Sequence, residues 1–182
     1  MAKWNIDAAH ASAEFAAKHM MITTVRGGFK NVTGTIDFDP AHPEQASVEA
    51  VIDATSMSST GVEQRDNHLK SADFLEIEKY PTITFTSTKV EPSADGKEAK
   101  VTGDLTLHGV TRQETLNVEF LGQVNSPFGD VRAGFAGTTK INREEYGLTY
   151  NMALEAGGWL VGKEVTISLE VEAILVPETA AV

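Results

Sequence analysis

Apolar and polar residues alternate along most of this chain, and that alternation is the strongest constraint on its fold. Successive side chains of a β-strand point to opposite faces, so each alternating segment predicts a strand with one buried face. The clearest example is the last segment, which has apolar residues at every second position: Val165, Ile167, Leu169, Val171, Ala173 and Leu175. Short turns such as Arg26-Gly27-Gly28 and Asp95-Gly96 separate most segments. Neighbouring strands are therefore expected to pair antiparallel.

About eight such strands can be distinguished, and no linker divides them. A meander of this kind forms a sandwich or closes into a barrel, and closure removes the exposed edges of the sheet. The first and last alternating segments are both long, which suits pairing with each other. The pattern predicts an all-β protein in which residues 1–182 form one domain, an eight-stranded antiparallel barrel.

Two segments interrupt the alternation. The first, at about 60–76, begins with Thr60-Gly61-Val62-Glu63, which has the form of a capping box and predicts a short helix through about Lys70. The second, at about 142–162, is too apolar for a solvated loop. It either covers a mouth of the barrel or packs on a second subunit, and Gly157-Gly158 beside Trp159 would let it move.

The residues expected to face inward combine small and aromatic side chains. The small ones are Ala13, Ala17, Gly34, Ala50, Gly103, Gly122, Ala133, Gly137 and Ala173, and the aromatic ones are Phe15, Phe38, Phe85, Phe120 and Phe135. An eight-stranded barrel is either filled by side chains or holds one small ligand. Small residues therefore indicate an elongated apolar cavity, unless the glycines serve only as bends and bulges of the sheet.

Three polar residues are candidates for a ligand's polar head. His19 continues the inward face of the first strand, although a core histidine bonded to a carbonyl would show the same pattern. Arg65 and His68 lie on the predicted helix, where a guanidinium suits a phosphate or carboxylate. The alternative is that Arg65 and Asp66 fasten the insert to the barrel rim.

Motifs for catalysis and for cofactors or metals are lacking in the sequence. The five histidines have no ligand spacing, and neither H-E-x-x-H nor Gly-x-Ser-x-Gly occurs. We therefore expect no metal, no cofactor and no enzymatic activity.

The composition limits which classes of partner and which cellular compartment are expected. A formal net charge of −11 argues against nucleic acid as a partner. No apolar run approaches the roughly 20 residues of a membrane span, and the N-terminus has no secretory apolar region. We expect a cytoplasmic protein without an integral membrane segment, or a periplasmic one if the N-terminus has been processed.

Several motifs spread over nearly the whole chain resemble those of one protein family. In order they are Trp4-x-Ile6-Asp7-x-x-His10, Gly34-Thr35-Ile36-Asp37-Phe38, Arg65-Asp66-Asn67-His68-Leu69-Lys70-Ser71-Ala72-Asp73-Phe74-Leu75, Gly103-Asp104-Leu105-Thr106-Leu107-His108-Gly109 and Ile141-Asn142-Arg143-x-x-Tyr146-Gly147. With these motifs the chain resembles the YceI-like family of lipocalin-like, polyisoprenoid-binding proteins. It departs from the family pattern at Ala11-Ser12-Ala13 and at Ala17, where smaller residues would widen a pocket.

The resemblance implies a lipocalin-like barrel that holds a long isoprenoid chain, such as a polyprenyl phosphate or a quinone tail, without catalysis, and that forms a homodimer. The predicted function is binding, transport or storage of such a lipid. The predicted ligand-binding residues are Phe15, Ala17, His19, Phe38, Arg65, His68, Phe74, Phe85, Phe135 and Trp159. Two alternatives remain open: an enzyme for a small lipid-like substrate with His19 or His68 as general base, and a stress-related structural dimer with a filled barrel.

Overall fold

The computed structural model describes residues 1–177 and contains ten β-strands and one α-helix in that range. The elements are β1 (Ala2–His19), β2 (Thr23–Phe29), β3 (Val32–Phe38), β4 (Ser47–Asp53), β5 (Met57–Ser58), α1 (Glu63–Lys70), β6 (Thr82–Pro92), β7 (Glu98–Leu107), β8 (Val110–Asn125), β9 (Val131–Asn142) and β10 (Val161–Leu175). The end of the predicted domain, 178–182, lies outside the described residues. No described helix has the length and apolar character needed to cross a bilayer.

Eight of the strands form a closed antiparallel barrel, as predicted. Their order around the ring is β1-β3-β4-β6-β7-β8-β9-β10, and β10 pairs with β1 to complete it. The closing ladder runs from Trp4 opposite Leu175 to His19 opposite Val161. Two strands not predicted separately lie outside the ring, because β2 pairs with the second half of β1 and the short β5 pairs with β2. The predicted turn at Arg26-Gly27-Gly28 is wrong, because these residues lie within β2 and the chain turns at 20–22 instead.

The two ends of the barrel carry different connections. One end, called here the helix end, carries α1, the 20–22 turn and the 143–160 segment. The other, called the hairpin end, carries the loops at 39–46, 93–97 and 126–130. The strand β1 begins at the hairpin end beside β3 and runs to the helix end, where β2 replaces β3 as its neighbour.

An aromatic cluster fills the hairpin end of the barrel. Trp4 is 2% exposed, and its indole Nε1 donates to the carbonyl oxygen of Phe38 at 3.1 Å. The ring of Phe38 lies 5.0 Å from that of Phe120 and 5.3 Å from that of Phe135. Ala133 and Ala173 pack against this cluster. They were expected to widen a cavity, but they instead make room for the indole and the phenyl rings.

Three of the inward glycines serve the backbone rather than a cavity. A β-carbon on Gly34 would lie 2.0 Å from the carbonyl oxygen of Glu49, and one on Gly103 would lie 2.4 Å from that of Thr86. Gly122 has a φ of +122° where the β8–β9 register shifts. Here the bend-and-bulge interpretation holds, because neighbouring strands leave no room for a side chain at Gly34 and Gly103, and Gly122 adopts a positive φ at the register shift.

The helix α1 forms where it was predicted, but the capping box does not. Val62 occupies the N-cap position, and no side chain caps the helix. The hydroxyl of Thr60 instead donates to the carboxylate of Asp66 and accepts from the guanidinium of Arg65. Residues of the first turn, Arg65 and Asp66, therefore hold the start of the helix, and the predicted exchange between Thr60 and Glu63 is wrong.

The two buried glycines Gly103 and Gly137 give a matched test of this packing. In Gly103→Ala the new methyl group would meet the Thr86 carbonyl, so we expect a loss of about 1–3 kcal/mol in the free energy of unfolding. In Gly137→Ala the nearest atom to the new methyl is 3.6 Å away. We expect that variant to change stability by less than about 1 kcal/mol. Urea denaturation measures both values, and equal losses would contradict the close-approach explanation.

Candidate functional site: a cavity inside the barrel

The barrel encloses a cavity of about 310 Å³ with overwhelmingly apolar walls. This volume lies at the lower end of the range for small-molecule pockets, about 300–1,000 Å³. Every strand of the ring contributes to the wall, in ring order through residues such as Phe15, Ile36, Ala50, Ile83, Leu105, Leu116, Gly137 and Ile167. The structure thus contains the apolar cavity that the inward pattern predicted.

Small residues leave this space open. Of the predicted small inward residues, Ala13, Ala17, Ala50 and Gly137 lie in the cavity wall. Each takes the place of a side chain that would otherwise project into the centre of an eight-stranded barrel. Gly34 and Gly103, where strands approach closely, do not line the cavity, and neither do Ala133 and Ala173 in the aromatic cluster.

Six of the ten predicted ligand-binding residues line the cavity. They are Phe15, Ala17, Phe38, Phe74, Phe85 and Phe135. Phe74 is 8% exposed and belongs to a cover over the helix end, to which Leu69, Leu75, Leu148 and Val161 also contribute. The segments at 60–76 and 142–162 thus meet over one end of the cavity.

The predicted residue His68 lies behind Phe74 rather than in the cavity wall. Its ring centroid is 5.0 Å from that of Phe74 and 4.6 Å from that of Tyr150. Its Nε2 lies 2.8 Å from a carboxylate oxygen of Asp73. His68 therefore supports the cover from outside.

Arg65 and Asp66 brace the helical insert. The Nε and Nη2 atoms of Arg65 donate to the hydroxyl and the carbonyl oxygen of Thr60, each at 2.7 Å. Asp66 accepts from the Ser59 hydroxyl at 2.6 Å and from the Thr60 amide at 2.8 Å. These hydrogen bonds lower the pKa of Asp66 to about 2. Both side chains hold the loop before α1, so they brace the insert internally rather than fasten it to the barrel rim.

His19 and Trp159 also lie outside the cavity wall. His19 is the last residue of β1, beyond the register shift that separates it from Ala17 on the β10 side. Trp159 is half exposed on a loop that bridges back to Ala153. A role in ligand binding for His19, Arg65, His68 and Trp159 stays a prediction.

Arg143 is a polar residue of the wall that sequence reasoning missed. It is 3% exposed, and its Nε donates to the carbonyl oxygen of Gly162 at 2.8 Å and its Nη2 to that of Val161 at 3.3 Å. Its Nη1 donates to the carbonyl oxygen of Leu148. These partners are neutral, and burial lowers the pKa of Arg143. The sequence feature that could have pointed to Arg143 is that it is the lone basic residue of the apolar 142–162 segment.

One group of potential metal ligands comes together among residues 1–177. Side-chain atoms of Asp7, His10 and Glu172 lie close enough to share an ion. The guanidinium of Arg132 already contacts Asp7 at 3.2 Å, Asp130 at 2.9 Å and Glu172. The group is therefore an ionic network on the barrel wall, organised by a cation of the protein itself.

The bracing role of Asp66 predicts a pH-dependent stability. Its folded pKa of about 2 lies below the ordinary 3.8, so its contribution is fully present above about pH 4 and is lost as the pH falls towards 2. We expect Asp66→Asn to lower the urea midpoint clearly at pH 7 and progressively less below pH 4. The control is Asp104→Asn at an exposed position of β7, which should have little effect. A gap that stays constant from pH 7 to pH 2.5 would contradict this account.

Comparisons with known proteins agree with this architecture. A family model described as the YceI-like domain matches residues 4–173. A UPF0312 protein of Staphylococcus aureus (strain USA300) is 38% identical over 173 residues, covering 94% of this chain and 97% of that protein. The crystal structure of BcnA from Burkholderia cenocepacia superposes with a TM-score of 0.77 at 26% identity, over 92% of this chain and 98% of that one. A polyisoprenoid binding domain from Saccharophagus degradans shares the fold, with a TM-score of 0.68 at 16% identity over 97% and 100% of the two chains. This chain therefore belongs to the YceI-like family.

Proposed function

We propose that this protein binds a long apolar lipid of the isoprenoid type inside its barrel, and that it carries or stores that lipid without chemical change. The observation that carries the proposal is the apolar cavity of about 310 Å³ bounded by all eight strands of the ring. Such a wall favours hydrocarbon, because it offers shape and dispersion contacts rather than hydrogen bonds. Burial contributes about 0.8 kcal/mol per methylene, so each five-carbon unit adds on the order of 4 kcal/mol before ordering costs.

The cavity favours binding over the two alternatives. A barrel filled by its own side chains would not leave a space of this size. An enzyme needs its general base within hydrogen-bonding distance of the substrate. The two histidines considered for that role, His19 and His68, lie outside the wall of the cavity.

The isoprenoid class is supported by the family and by the fold. The Saccharophagus degradans domain with the same fold is described as a polyisoprenoid binding domain. An extended chain also suits the elongated course of the cavity, from the aromatic cluster at Phe38 to the cover at Phe74.

We further propose that the lipid carries an anionic head, which lies near Arg143. Of the charged residues that border the cavity, Glu14, Lys97 and Glu98 are exposed, whereas Arg143 is buried at the helix end. Its bonded partners are neutral carbonyls, so an anion beside it would offset the cost of burying its charge. A polyprenyl phosphate meets this requirement, and a quinone does not.

Native mass spectrometry of the purified protein, followed by organic extraction, tests the function directly. We expect a stoichiometric adduct whose fragments are spaced by isoprene units, or uptake of an added polyprenyl phosphate. A protein that stays unliganded with polyprenyl phosphates, polyprenols and quinones alike would overturn the proposal.

Two adjacent alanines of β1 give a matched pair of variants for that assay. Ala17 lies in the cavity wall, whereas Ala16 points to the other face of the strand. We expect Ala17→Trp to reduce lipid occupancy at least tenfold, because the indole would occupy the space of the ligand. Ala16→Trp should retain the occupancy of the wild type. Equal binding by both variants would place the lipid outside the cavity.

The role of Arg143 is tested by headgroup preference rather than by affinity alone. We expect the wild type and Arg143→Lys to prefer a polyprenyl phosphate over the matching polyprenol by roughly tenfold, the size of one charge-assisted contact. Arg143→Met should lose the preference and still bind the alcohol. Taking the ratio of the two affinities removes any general loss from a loosened 142–162 segment. A preference that survives in Arg143→Met would assign the headgroup to another residue.

A further inference from the structure

Five large apolar side chains are exposed together at the helix end. They are Met20, Met21, Ile22, Met152 and Trp159, with exposed fractions between 43% and 76%. Backbone contacts make their two loops one surface, since the Met20 amide donates to the carbonyl of Leu160 at 2.8 Å. The Met21 sulfur also lies so near Gly158 that a β-carbon there would be 2.1 Å from it. We call these five residues the helix-end patch.

The turn that presents the two methionines is strained. Met20 and Met21 have φ values of +51° and +62°, in the left-handed region that favours glycine or asparagine. The turn thus places long apolar side chains in solvent at positions where small or polar residues would fit better. Backbone strain of this kind is found preferentially at binding sites.

The helix-end patch adjoins the cavity. Ala17 lines the cavity three residues before Met20 along β1. Val161 lines it on the neighbouring strand β10, directly after Leu160, whose amide donates to the carbonyl of Met152 at 2.9 Å. The patch therefore lies beside the end of the barrel at which Arg143 lies.

The charge around the patch differs from that of the whole protein. The formal net charge of the chain is −11. The two segments that carry the patch, 15–25 and 147–163, contain only Lys18, Glu155 and Lys163 as formally charged residues. The acidic excess lies outside these two segments, so the patch itself brings no net negative charge to its contact with a lipid surface.

We propose that the helix-end patch docks on the surface of a lipid bilayer. Methionine, isoleucine and tryptophan on projecting loops suit shallow insertion at the level of the headgroups. A second copy of the chain fits less well, since a stable interface takes about 20–30 residues a side and two molecules of charge −11 repel each other. Exchange of lipid between the cavity and the bilayer through this surface rests on the proposed function. The docking itself does not.

Flotation with phosphatidylcholine vesicles that contain no isoprenoid lipid tests the docking. We expect the wild-type protein to float with the vesicles at both low and high salt, because the contact is apolar. Met21→Glu and Ile22→Glu should each reduce the bound fraction at least tenfold. The matched control is Phe128→Glu, an equal charge change at an exposed aromatic residue of the hairpin end, which should stay within twofold of the wild type.

The two tryptophans give an independent readout of orientation. Trp4 is buried in the aromatic cluster, whereas Trp159 is half exposed in the patch. Vesicles with brominated acyl chains should quench the emission of the wild type, and this quenching should disappear in Trp159→Phe.

Three other outcomes would contradict docking by this patch. Loss of flotation in Phe128→Glu alone would assign the contact to the hairpin end. A dimer in solution that Ile22→Glu dissociates, without flotation of the wild type, would show that the patch binds a second copy. A protein that carries lipid by native mass spectrometry but never floats would overturn the docking and leave the proposed function intact.

Discussion

The antiparallel pairing of β1 with β10 is the contact on which the rest of the molecule depends. It joins strands from the two ends of the chain, from Trp4 opposite Leu175 to His19 opposite Val161. Without this ladder the sheet would have two open edges and an apolar face in contact with water. With it, the inward residues of eight strands share one enclosed volume. The cavity is therefore a property of the closed ring and of no single strand.

The interior divides into a filled part and an open part because of side-chain size. At the hairpin end, Trp4 and Phe38 close the barrel with neighbouring phenyl rings. Farther along, Ala13, Ala17 and Ala50 leave space that the surrounding strands cannot collapse to fill. The barrel circumference is set by hydrogen-bond ladders, so removing side-chain volume produces a cavity rather than a tighter core.

Polar side chains at the helix end hold the cover in place. Asp66 and Arg65 bind the loop before α1, and Arg143 binds the carbonyls of the 148–162 segment. Buried charges of this kind are tolerated because hydrogen bonds replace the lost hydration. Arg143 differs from the other two in also bordering the cavity. The same residue thus fastens the cover and gives this end of the cavity a positive charge.

The sequence by itself determined the eight strands of the ring, the helix near Glu63–Lys70, the closed barrel and the presence of an apolar interior. These follow from local periodicity and turn chemistry, which adjacent residues encode. Only the tertiary structure decided which glycines make room for backbone, since Gly103 is restricted by Thr86 on another strand. It also decided that Arg143, and not Arg65, lies in the wall, while His19 lies outside it. Such placements depend on distances between segments far apart in the chain, and alternation along one strand carries no information about them.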